Sequence, residues 1–409
     1  MLMQSGYFLE GEDYDDVAVL SVNSFVSALE DEEPFQIVNT AFLNAAKAAG
    51  KTKLIVDVQA NGGGTILQGY DLFKQLFPQI LPYGATRLRA HEALELIGEE
   101  VSWYSGQVPR DLDQNNTALN IISTVYNYRT DVDVNYENFE NWNPDKYGPQ
   151  TFGPGPDNFT NIIRWNLSDV LTPLNSGGIE VSGYNNRSNI TQQPFAPENI
   201  VVVTDGYCAS TCAIFSELMR QQGGVNFVMM GGRPNTDVVQ AVGGVKGTNS
   251  YPWTYILDSV LLPFEIQHYH DEDYYSNTAL GEYNDLPLYR AINFVVNARD
   301  GYREGDASNT PLQFVYEPAD CRIYYTPAMT VDITTMWKSV ADSAFNGVNR
   351  CVAGTGNLSG GESEKRSLRT FPRHAVRRGL DVNEHYKAFE NVWTGKGEIT
   401  LGGDGYMPL

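Results

Sequence analysis

The 409-residue chain is short of positive charge, with 28 basic side chains against 50 acidic ones, and holds only four cysteines and five histidines. The resulting formal charge of −22 repels phosphate backbones and anionic bilayers, so nucleic-acid binding is not expected. Long apolar runs are missing too. The stretch from Tyr255 to Phe264 is broken by Asp258, and no segment is long enough for a membrane span. Met1 to Gly6 carries neither a basic region nor an apolar one, so no signal peptide is read there. Cys208 and Cys212 lack a second Cys/His pair at metal-ligand spacing, which argues against structural zinc. The Gly62-Gly63-Gly64 turn has neither a Gly-Lys-Ser/Thr ending nor a dinucleotide glycine spacing, and no metal or cofactor is expected.

What is present suffices for one large domain or two medium ones with a real core. Asn-x-Ser/Thr sequons stand at Asn115, Asn158, Asn166, Asn186, Asn189 and Asn357. The first five fall in one polar segment and suggest glycosylated surface loops. Cys321 and Cys351 lie 30 positions apart, and a bridge between them would stabilise by about 3 kcal/mol on the chain-entropy model. Cys208 and Cys212, four apart, share a helix face and either pair or pack as small apolar residues.

An alternating β/α pattern flanks a long irregular middle. Val17 to Val22 reads as a strand, Phe35 to Ala49 as a helix stopped by Gly50, and Lys53 to Val58 as a second strand whose near-continuous apolar character suits a sheet covered on both faces. Ile66 to Phe77 has helical spacing and stops at Pro78. From about His91 to Pro197 the chain is polar and rich in Asn, Pro and Gly, and is read as an insertion. The pattern resumes with a strand at Asn199 to Thr204, a helix from Ser210 to Gln222 and a strand from Val225 to Met230. Farther on, Leu312 to Tyr316 and Cys321 to Tyr325 read as strands and Thr334 to Phe345 as a helix. Residues 1–90 and 199–350 are thus taken as two parts of an α/β core of repeated βαβ units, 91–198 as the insertion and 351–409 as a C-terminal extension.

In open α/β sheets ligands bind at the carboxyl ends of strands. Two glycine-rich turns fall there, Gly62-Gly63-Gly64 and the turn from Gly206 to Ser210. A serine at a helix start meets unpaired backbone N–H groups that favour developing negative charge, although serine is equally at home there as a simple cap. Taken together, the turns make Ser210 a candidate nucleophile, with an oxyanion hole of an N–H from Gly62 or Gly63 and that of Thr211.

At these residues the chain resembles the tail-specific, or C-terminal processing, serine proteases. It is most similar to fungal secreted members related to the chlamydial protease-like activity factor. The resemblance is carried by the run from Val17 through Phe77, by Thr204-Asp205-Gly206-Tyr207-Cys208-Ala209-Ser210-Thr211-Cys212, by Gly243 to Gly247 and by Asp320 to Pro327. It implies a crotonase-like core, here with the long irregular insertion, a peptide or protein substrate and an acyl-enzyme on Ser210. Bacterial members use a serine–lysine dyad, but aligning their segment on Gln240 puts Thr236 in the lysine position. Lys246 is a possible alternative base, one that needs a strongly lowered pKa to act. Closer relatives resemble a serine–histidine–glutamate triad with the histidine before the first strand. This chain has only His91, His268, His270, His374 and His385, all later. Glu304 is the candidate orienting carboxylate, with Glu265 and Glu272 as alternatives. The chain is accordingly expected to be the C-terminal catalytic part of a longer secreted protease, lacking its general base. Alternatives are a noncatalytic pseudoprotease or binding chain and a crotonase-type acyl-CoA enzyme, against which the acidic balance weighs.

Overall fold

The computed structural model describes residues 4–26, 31–151, 157–175, 178–243, 246–284, 295–356 and 358. The proposed 351–409 extension, with His374 and His385, lies almost wholly outside them, as does the sequon at Asn357. Strands β1 (Gln4–Phe8), β2 (Val17–Val22), β3 (Lys53–Asp57), β5 (Ile200–Thr204), β6 (Asn226–Met230) and β9 (Cys321–Ile323) form a six-stranded sheet in the order β1-β2-β3-β5-β6-β9. All its pairings are parallel except that of β1 with β2. A second sheet places β8 (Val295–Tyr302) between β4 (Ala85–Arg87) and β7 (Asn249–Pro252), both antiparallel. The architecture is mixed α/β with a parallel sheet at its core.

The apolar runs that read as doubly covered strands are buried on both faces, and period-two alternation decides which core each side chain joins. Leu20, Leu54, Val56 and Val202 pack with Phe35 and Leu43 of α1 (Glu32–Ala48), Leu72 and Phe73 of α2 (Ile66–Leu76), and Phe215 of α4 (Thr211–Glu217). Their neighbours Val19, Ile55, Val201 and Val203 point the other way, to Met336, Trp337 and Val340 of α6 (Ile333–Ala344). Reversing one strand's register would exchange these two sets, so the pairing is strongly specified.

The polar segment after His91 holds more structure than its composition suggested. Helix α3 (Glu92–Gln107) carries Leu94, Ile97 and Val101 at three-to-four spacing, and these share a second apolar cluster with Ile121, with Ile163 and, from α5 (Trp253–Ile266), with Val260. Leu312 to Tyr316 is not a strand. Its centre is a short 3-10 helix, Leu312–Phe314, and Phe314 and Tyr316 stand exposed, leaving no sheet face to bury. The expected helix from Ser210 to Gln222 is α4 followed by a π-helical turn, Leu218–Gln222. No described helix is long and apolar enough to cross a membrane.

Candidate active site

Because β3 and β5 are adjacent and parallel, with Asp57 opposite Val203, the turns that follow them emerge at the same sheet edge. Asp205 ties the two together: its carboxylate accepts from Ala60 N–H at 2.8 Å and from Tyr207 N–H at 2.9 Å. Buried Asn61 pins the glycine loop, donating from Nδ2 to the Val22 carbonyl and accepting at Oδ1 from the Gly63 N–H, both at 2.8 Å. The Thr211 hydroxyl closes the arrangement by donating to the Gly64 carbonyl at 2.6 Å. Asp57, at the end of β3, is buried beneath the loop and bonded by Trp337 Nε1 and Gln59 N–H; burial raises its pKa above the usual carboxylate value.

Gly63 makes the closest approach. A Cβ on it would lie 2.7 Å from the Ala209 carbonyl oxygen, 2.7 Å from Ser210 Cβ and 3.0 Å from the Thr211 nitrogen, and its φ is +101°. Only glycine fits that space and that backbone. Ser210 is itself held at φ 51°, ψ −124°, a region costly for a residue with a side chain and typical of strained functional turns. It occupies the N-cap position of α4, yet its side chain makes no capping bond, so the simple-cap reading does not describe it. Ser210 is half-buried, and its hydroxyl has no hydrogen-bond partner among the described residues. A disulfide between Cys208 and Cys212, with Cα atoms 5.3 Å apart, encloses the serine. The pairing left open by the spacing is thus resolved, and both sulfurs are buried. The second bridge joins Cys321 to Cys351.

Gly63 N–H belongs to Asn61, which removes it as an oxyanion donor. Gly62 N–H and Thr211 N–H have no partner among the described residues. A short polar side chain two positions upstream of a glycine was the available clue, since Asn competes readily for local backbone amides.

None of the other candidate residues is hydrogen-bonded to Ser210 among the described residues. Lys246 is buried, donates to the Val315 carbonyl at 2.8 Å and pairs with Glu317 at 3.7 Å; burial lowers its pKa, but its bonds hold it in an ionic cluster with Glu317 and, through that residue, Arg303. Glu304 is exposed and lines a cavity with Tyr83 and Arg303. Glu265 and Glu272 are exposed on α5 and on the short helix Glu272–Ser276. His91 caps α3, its Nδ1 accepting from Leu94 N–H at 3.3 Å. His268 stacks on Trp103 and His270 on Tyr274, each at 3.7 Å between ring centres. Among the described residues, no histidine or lysine is bonded to Ser210, and no cluster of side chains suits a metal ion.

Residues 16–242 match the family model described as peptidase family S41. The chain is 33% identical over 374 residues to the peptidase S41 family protein phomP1' of Diaporthe leptostromiformis, covering 83% of this chain and 54% of that protein. It is 32% identical over 363 residues to the peptidase S41 family protein ustP of Aspergillus flavus, covering 85% and 72% respectively. The chain therefore spans about half the length of the Diaporthe protein. Among solved structures it is similar to mature CPAF, with 12% identity, a TM-score of 0.39, and coverage of 82% of this chain and 53% of that one.

Proposed function

The chain belongs to peptidase family S41, and from that premise we propose that it is a serine endopeptidase with a crotonase-like core, acting through an acyl-enzyme on Ser210. The hydroxyl oxygen attacks the scissile carbonyl carbon as its proton passes to the general base, the carbonyl oxygen takes the negative charge, and the C–N bond then breaks as that proton is delivered to the departing amine. Water then cleaves the ester and frees the serine. Thr211 N–H and Gly62 N–H receive the oxyanion, and each such donor is worth roughly 100- to 1000-fold in rate. Gly63 shapes the crevice without donating. The observation that carries this reading is the close approach of Gly63 to Ser210 and the Thr211 nitrogen, which supports nucleophile and donors acting on one carbonyl.

The general base is proposed to come from outside the described residues. Without it, hydrolysis falls to the modest level that binding and oxyanion donors sustain. The test compares casein hydrolysis by this chain with that by a version extended upstream. Strong Ser210-dependent activity only in the extended version supports the proposal, and equal activity in the two removes it. A pseudoprotease is the second reading, favoured by the lack of a described basic partner for Ser210. It predicts that a fluorophosphonate leaves Ser210 unlabelled even in the extended protein.

The parent protein is proposed to be secreted and glycosylated. Two disulfides suit an oxidising compartment, and the sequon residues Asn115, Asn158, Asn186 and Asn189 are exposed. A mass loss on endoglycosidase treatment of the secreted protein checks this; an unchanged mass contradicts it.

A further inference from the structure

Resting on the peptidase reading, we propose that the cavity beside Arg299 is a substrate subsite that takes a carboxylate of the bound polypeptide. The cavity, of about 250 Å³, is lined by Asp131, Trp165, Asn249, Tyr251, Tyr255 and Arg299. That space suits one side chain or chain end. Ser250 and Pro252, on the same wall, are exposed, so the cavity meets solvent there.

Charge supplies the first argument. Lys146 and Arg299 are both buried and both pair with Asp131, Lys146 Nζ at 2.6 Å and Arg299 Nη2 at 3.4 Å. Asp131 is the only carboxylate among the described residues paired with either. Two cations thus share one anion in the interior, an imbalance that an incoming anion relieves. An unused donor points the same way. Arg299 Nε is buried without a hydrogen-bond partner, although the side chain lines the cavity and its guanidinium lies over the Trp165 ring at 5.1 Å. A guanidinium edge matches a carboxylate in geometry and charge. The backbone agrees. The β7–β8 register shifts between Asn249 and Ser250, opposite Arg299 and Asn297, and such irregularities re-aim a side chain next to binding sites.

The link to Ser210 runs along α4. Ile214 N–H donates to the Ser210 carbonyl at 3.0 Å, which places Ile214 one turn, about 6 Å, along the helix. Ile214, Leu218, Tyr70, Tyr83 and Trp165 line an adjoining cavity of about 180 Å³. Trp165 is a wall of both spaces, so an apolar residue in the first sets a neighbouring carboxylate toward Arg299.

The experiment uses the Ser210→Ala chain, which binds without cleaving, and calorimetric titration with three blocked hexapeptides: one with a glutamate side chain and an amidated end, one with glutamine and a free carboxyl end, one with glutamine and an amidated end. We expect one carboxylate peptide to bind at least about tenfold more tightly than the neutral one, the scale of a charge-assisted hydrogen bond; which one does so distinguishes side chain from chain end. Arg299→Met abolishes the advantage. Since that variant unbalances a buried cluster, Ser250→Glu is the companion: on the exposed wall it supplies a tethered carboxylate and erases the advantage while neutral binding persists. Equal affinities for all three peptides, or an advantage that survives both substitutions, overturns the proposal. If no peptide binds while 3-phenylpropionate raises the Tm of the parent chain and not of Ser250→Glu, the carboxylate site stands and the peptidase reading fails. If phenylpropionate also has no effect, the site is refuted.

Discussion

Gly63 and Ser210 approach so closely that a methyl group on the glycine would sit 2.7 Å from the serine Cβ. The distance is shorter than any relaxed carbon contact, and the glycine's φ of +101° is one that alanine resists. Gly63→Ala must therefore displace the nucleophile or the loop. We expect fluorophosphonate labelling of Ser210 to fall about 100-fold, the scale of misplaced catalytic groups, with circular dichroism unchanged. Labelling at the parent rate would show that the crevice does not depend on this contact.

Asp205 binds amides on both turns. Asp205→Ala leaves Ala60 and Tyr207 N–H without their acceptor, at a cost of about 1–3 kcal/mol, and lets the turns drift apart. A lower urea midpoint together with at least tenfold slower labelling is expected. A stability loss at the parent labelling rate would separate the tie from catalysis.

The Cys208–Cys212 bridge closes a ring around Ala209, Ser210 and Thr211. On the chain-entropy model so small a loop contributes only about 2 kcal/mol, so its larger effect is to hold Ser210 in its positive-φ conformation. The double variant Cys208→Ser, Cys212→Ser should lose more labelling rate than its small Tm decrease explains. The opposite pattern, a large Tm decrease and intact labelling, would make the bridge purely structural.

Much of this was written in the chain. The apolar runs of β2, β3 and β5 announce a doubly covered sheet, and parallel pairing then forces Gly62 and Ser210 to one edge. Two features were hidden for physical reasons. Helix α3 sits in a stretch whose Asn, Pro and Gly content suggests loops, and its apolar face is completed by residues distant in sequence, among them Ile163 and Val260 of α5. Asp131, Lys146 and Arg299 carry no common local pattern; they meet where Asp131 pairs with both Lys146 and Arg299 of β8. Of the candidate site residues, Lys246 is engaged by the Val315 carbonyl and Glu317 instead, partners that lie about 70 positions away and carry no local sequence signal.

Lys246 provides a clean control. Its ammonium serves the Val315 carbonyl and Glu317, so Lys246→Met should cost about 1–3 kcal/mol in stability and leave labelling of Ser210 within about threefold. A loss of 100-fold or more would reinstate it as the base.

Burial lowers the pKa of Lys146 to about 8, with Asp131 opposing the shift. Between about pH 8 and the ordinary lysine value near 10.4, the unfolded chain binds the proton and the folded chain does not, so this residue makes stability rise with pH across that window. Below pH 8 both states are charged and the contribution is constant. Urea titrations of the parent and Lys146→Met from pH 7.5 to 10 should diverge in slope, the parent gaining relative to the variant. Parallel curves would contradict a lowered value.

The most direct test is peptide mapping after exposure of the protein to a fluorophosphonate. The phosphonyl group is predicted on Ser210 alone, and Ser210→Ala should leave the protein unmodified. Modification of a different residue, or none in a folded and casein-cleaving protein, would contradict the assignment of the nucleophile.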